Sequence, residues 1–158
     1  MSKYVEAANW VSEQRQAKNI FQNFNKMFNL ESFEDAYLVQ DSLETVWAHK
    51  GDVIGYKLAL TSKAMQNMFG VSTPFKGNLF SETILKGDQV ISLKNYGRLG
   101  VEFELAIEIG EDFGTNSNDL TVEKCMSKVS AVYPAFELID DRNADYPKVN
   151  LISTTADN

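Results

Sequence analysis

One cysteine and one histidine in 158 residues remove two kinds of chemistry at once. Cys125 has no partner for an internal disulfide, and a zinc site built from thiolates and imidazoles has no ligand set to draw on. No apolar stretch approaches the roughly 18 to 20 residues of a membrane span. Basic residues are in deficit, with 15 Lys and Arg against 22 Asp and Glu, so the net charge is −7 and the sequence pI is near 4.7. That balance argues against nucleic acid and anionic membrane surfaces as partners and leaves small molecules or proteins. The opening Met-Ser-Lys-Tyr-Val-Glu carries charges without a following apolar block, which is not the pattern of a secretory leader, and a cytoplasmic protein is expected. Repeats and low-complexity segments are lacking as well.

What is present is a chain of one domain's length with 44% hydrophobic residues, enough for a core. Val5, Ala8 and Val11, then Ile20, Phe21, Phe24 and Phe28, recur at mostly helical spacing and predict one or two amphipathic helices. Ser32 opens another helix over 33–47, with acids in its first turn and Gly51 as its stop. After Gly51 the pattern alternates as a strand over 52–60, followed by a short helix over Lys63–Phe69 closed by Gly70. Short strands are expected at 78–80, 83–85 and 89–93, a turn at 116–119, a helix at 121–128, a loop at 140–147 and a further element from Val149.

The most informative stretch is Gly100-Val-Glu-Phe-Glu-Leu-Ala-Ile-Glu-Ile109. Its alternation puts Glu102, Glu104 and Glu108 on one strand face and Val101, Phe103, Leu105, Ile107 and Ile109 on the other. Positions 102 to 119 hold six acidic residues and no Lys or Arg, so a divalent cation would relieve their repulsion. A solvated acidic face has the same periodicity, and both readings stand at this point. Farther on, Glu137 interrupts the apolar run 129–139. An ionised carboxylate in a buried strand needs a partner, either Arg142 or a metal shared with Glu102 and Glu104. An oxygen-only cluster suits Mg, Mn or Ca.

Four motifs in order carry a resemblance: Gly55-Tyr-Lys-Leu-Ala-Leu-Thr-Ser-Lys-Ala-Met-Gln66, then Gly70-Val71 with Pro74, then Val101-Glu-Phe-Glu-Leu-Ala106, then Pro134-Ala-Phe-Glu-Leu-Ile-Asp-Asp-Arg142. From about Ala36-Tyr37 and Gln40 to the last residue, the chain resembles the 2-keto-4-pentenoate hydratase and 4-oxalocrotonate decarboxylase branch of the fumarylacetoacetate hydrolase superfamily. The resemblance implies an α+β fold. N-terminal helices over 1–50 would be followed by a mixed, curved sheet over 51–158, the first part of a β-rich catalytic roll.

It also implies a Mg or Mn ion on Glu102, Glu104 and Glu137, and a short unsaturated 2-keto acid chelated through its carboxylate and 2-oxygen, with the cation stabilising the dienolate. Lys57 becomes the acid–base residue, where alternation alone also permits a snorkelling surface lysine. Arg142, Thr61 and Ser62 are expected to contact substrate, with helix capping as the other role open to Ser62. The implied activity is a hydratase, with a 4-oxalocrotonate-type decarboxylase or acylpyruvate hydrolase as alternatives. Two departures point elsewhere. Pro74-Phe-Lys-Gly77 lacks the Asp that hydratases often carry there, and relatives continue beyond Ala156-Asp-Asn158. These favour an inactive remnant or interaction module as the rival reading. Partners are expected to be copies of the chain or a complementing C-terminal chain.

Overall fold

Ser2 and Ser32 accept the backbone N–H groups of Val5 and Asp35 and so start the two longest helices, α1 (Lys3–Gln16) and α2 (Phe33–Val46). They belong to a computed structural model that describes residues 1–114 and 120–158, in two compact units: 1–97 with 141–158, and 98–140. The turn expected at 116–119 lies outside the described residues. In the first unit α1 turns Ala7, Ala8 and Val11 inward, and α2 offers Ala36, Val39, Gln40 and Leu43 at the i, i+3, i+4, i+7 spacing of one helical face. The apolar ones among these join Phe24, Leu30, Trp47, Phe80 and Ala156 in one core cluster. The core thus draws on residues from both sides of position 50.

Only one helix forms before residue 30. The second half of the expected helical pattern is an aromatic-packed turn, with Phe24 ringed by Trp10 at 5.0 Å and Phe28 at 6.2 Å. The reason is a competing set of hydrogen bonds. The N–H groups of Phe24 and Asn25 donate to Ser153 Oγ at 3.0 and 2.9 Å, while Lys18 and Asn29 adopt positive φ. Ser153 lies on α5 (Leu151–Ala156), started by Asn150 and packed against α2.

β1 (Val53–Ala59) pairs antiparallel with β2 (Phe75–Phe80), joined through α3 (Lys63–Phe69). Val53, Gly55 and Lys57 face the half-buried side, whereas Ile54, Tyr56 and Leu58 are exposed. Gly51 enters β1 at φ +83°, a conformation that favours glycine. The runs at 83–85 and 89–93 do not form strands. Neither has a pairing partner among the described residues, and Val90 is fully exposed.

The second unit is built on β3 (Leu99–Ile109) and β4 (Val129–Asp140), antiparallel from Leu99↔Asp140 to Ile109↔Val129, with α4 (Val122–Ser127) preceding β4. The register slips between Glu108 and Ile109, leaving Ser130 as the extra residue of a bulge. Phe103 and Phe136 stack edge to face at 5.2 Å on an apolar face where Phe103 is 85% exposed. The α+β class is as expected. Among the described residues both sheets are two-stranded and antiparallel, where the resemblance implied mixed pairing.

Candidate metal centre

Pairing in β3–β4 sets Glu102 directly across from Glu137, and Glu104 across from Ala135 one pair along. All three acids lie on the same sheet face, and one carboxylate oxygen from each lies within 4.8 Å of the others. Like charges directly opposed across strands are destabilising, yet two oxygens on one hard cation at about 2.4 Å lie up to about 4.8 Å apart. The donor set therefore fits an oxygen-loving divalent ion, with Glu102 and Glu104 open to water and Glu137 half-buried. Ala135, with its small side chain, leaves room beside Glu104.

Farther along the same face, Glu108 is held from two sides. Tyr133 Oη donates to Glu108 Oε2 at 2.9 Å, and Ser130 Oγ donates to Glu108 Oε1 at 3.0 Å. The bond to Glu108, reinforced by its charge, raises the Tyr133 pKa. Tyr133 and Ser130 were not singled out in the sequence. The signal for Ser130 is the bulge, which no alternation pattern reveals.

The other expected residues belong to the first unit. Lys57 pairs with Gly77 across β1–β2. A Cβ on Gly77 would stand 2.8 Å from Lys57 Cε and 2.6 Å from Asn158 Nδ2, so glycine at 77 is what lets these two side chains meet. Asn158 is a neighbour of Lys57 that the sequence did not flag, because only the register and α5 bring it there. Ser62 Oγ accepts the Met65 N–H at 3.2 Å and caps α3, while Thr61 is exposed at the strand–helix junction. Between Lys57 and this cap, Leu60 sits at φ +57°, a strained position for a leucine, and its carbonyl accepts from buried Gln66 at 2.9 Å.

Arg142 is 1% exposed and donates to both oxygens of Asp157 at 2.8 Å, and Arg15 donates to the same carboxylate. The centre of its guanidinium lies 5.6 Å from the Phe21 ring. The backbone at Arg142 and Asn143 adopts positive φ.

No family model matches the chain. It is 31% identical over 126 residues to a 2-keto-4-pentenoate hydratase of Paraburkholderia xenovorans (strain LB400), an alignment covering 79% of this chain and 46% of that protein. It is 33% identical over 133 residues to a 2-hydroxypent-2,4-dienoate hydratase of Pseudomonas putida, covering 80% of this chain and 57% of that protein. The chain spans about half the length of the curated relatives it matches. In structure it is similar to a 4-oxalocrotonate decarboxylase from Pseudomonas putida G7 complexed with magnesium and adipate, with a TM-score of 0.86 at 23% identity over 98% of this chain and 58% of that one. In sequence the chain thus resembles the 2-keto-4-pentenoate and 2-hydroxypent-2,4-dienoate hydratases over about four-fifths of its length, and it shares its fold with the 4-oxalocrotonate decarboxylase.

Proposed function

We propose that the chain is the metal-holding part of a divalent-metal-dependent lyase, a hydratase of short unsaturated 2-keto and 2-hydroxydienoic acids. The observation that carries this reading is the convergence of Glu102, Glu104 and Glu137 on one sheet face, in a chain whose relatives are hydratases. Mg or Mn is the proposed ion, in keeping with a neighbour solved with magnesium and another with calcium and acetate. When bound, such an ion supplies a positive centre that polarises the 2-oxygen of a chelated keto acid and favours loss of the neighbouring proton. The three carboxylates orient that ion, and the open sides of Glu102 and Glu104 leave room for substrate oxygens. Lys57 is proposed as the residue that carries the proton to and from carbon. Thr61 is kept as a proposed substrate contact; Ser62, whose hydroxyl caps α3, is assigned the structural role.

A decarboxylase is the second reading, favoured by Phe75 and Lys76 standing where hydratases often place an acid and by the adipate in the structural neighbour. Incubation with Mg and either 2-hydroxypentadienoate or 4-oxalocrotonate decides between them, and consumption of neither by a complete protein favours the inactive remnant. The metal itself is tested first and without turnover. Millimolar Mg or Mn is expected to raise the melting temperature of the wild type, and Glu104→Ala is expected to abolish that rise. Equal melting curves with and without metal would reject the proposal.

A further inference from the structure

Trp47, at the end of α2, has two cations near its ring: Lys50 Nζ stands 3.4 Å from the ring centroid and the Arg15 guanidinium 5.9 Å. Phe80 meets the same indole edge to face at 6.0 Å and lies 5.9 Å from Lys50 Nζ. The half-buried ammonium thus rests against two aromatic rings, and among the described residues it has no ion pair or hydrogen bond. The charges that act on it are Arg15 on α1, Asp157 after α5 and Lys57 on β1. Asp157 is the one acid of these three, and it already accepts from Arg15 and Arg142. Burial first, then the charges of Arg15 and Lys57, bring the Lys50 pKa down to about 8. Near that pH about half of its amines are neutral and nucleophilic, against less than about 1% for a fully solvated lysine.

We propose that Lys50 is a carbamylation site: its neutral amine takes up dissolved carbon dioxide and becomes an N-carboxylate among the cations around Trp47. The amine lone pair forms the N–C bond, one C=O pair moves onto oxygen, and an N–H proton leaves to water. Nothing is oxidised or reduced. The product carries −1 where the ammonium carried +1, so the nearby cations that disfavour the ammonium favour the carbamate. Asp157 would oppose it, but that carboxylate is engaged by two guanidiniums. Trp47 and Phe80 keep the nitrogen desolvated, while its partial exposure leaves a path for a small neutral gas. The site lies within the first unit and is independent of the carboxylates on β3 and β4.

The test equilibrates the whole chain with bicarbonate near pH 8, traps carbamates as ethyl esters with triethyloxonium, and locates them by peptide mass mapping. Lys50 is expected to carry at least about tenfold more adduct than any other lysine, with labelling of the chain's α-amine as the positive control. Lys50→Arg keeps a cation on Trp47 but has no neutral amine to react, and is expected to lose this adduct alone. Arg15→Gln, in a variant with native circular dichroism, is expected to lower the Lys50 yield several-fold. Bicarbonate, against chloride at equal ionic strength, is expected to raise the melting temperature of the wild type and to leave that of Lys50→Arg unmoved. Labelling of the α-amine without labelling of Lys50 would overturn the proposal. So would a bicarbonate-dependent rise equally present in Lys50→Arg, which would mean a bound anion without the covalent step.

Discussion

Lys50 holds its ammonium 3.4 Å from the centroid of the Trp47 ring, in a place where burial, aided by the charges of Arg15 and Lys57, pushes its pKa down to about 8. The unfolded chain keeps a lysine near 10.5, so between these values it binds more protons than the native one. Stability should therefore rise as pH increases from about 8 to 10.5, and Lys50→Met should flatten that rise; chemical denaturation across this range reads both. Nearby, Asp157 answers both Arg142 and Arg15. Removing it leaves a buried guanidinium without its counter-charge, and Asp157→Ala is expected to cost about 3–5 kcal/mol in urea unfolding. Neither effect was legible in the sequence, where Lys50 follows a helix end and Arg142 sits in a family motif. The three carboxylates were legible, because alternation over 100–109 assigns faces without knowledge of any partner.

At the scale of elements, local rules worked where a cap or a glycine decided the outcome. Ser32, Ser62 and Thr121 each accept an N–H three residues ahead and start a helix. Ser62→Ala is expected to lose about 1 kcal/mol while leaving the metal-dependent shift in melting temperature unchanged; loss of that shift would give Ser62 a role beyond capping. Gly51→Ala forces a Cβ into φ +83° and against Ser81 Oγ, and is expected to cost about 1–3 kcal/mol in the same unfolding assay. Local rules failed where periodicity was met by a better alternative. Phe24 is apolar and helically spaced, yet Ser153, far away in sequence, satisfies the amides there and the chain turns instead. At 89–93 the β-branched residues had no neighbouring strand, and a strand without a ladder does not form.

For the whole molecule, the β3–β4 pair presents an apolar face with Phe103, Leu105 and Phe136 exposed. Such a patch should bind the dye ANS in the native state, and Phe103→Ser should lower that fluorescence without unfolding the chain. No helix among the described residues is long and apolar enough to cross a membrane. Composition, capping residues and strand alternation, all properties of short stretches, determined by sequence alone the α+β class, most helix starts and the shared face of Glu102 and Glu104. Tertiary structure decided what depends on distant parts meeting: Glu137 opposite Glu102, Asn158 beside Lys57, Asp157 beneath Arg142. Register and packing bring these pairs together, and they are set by the free energy of the folded whole, which no window of neighbouring residues contains.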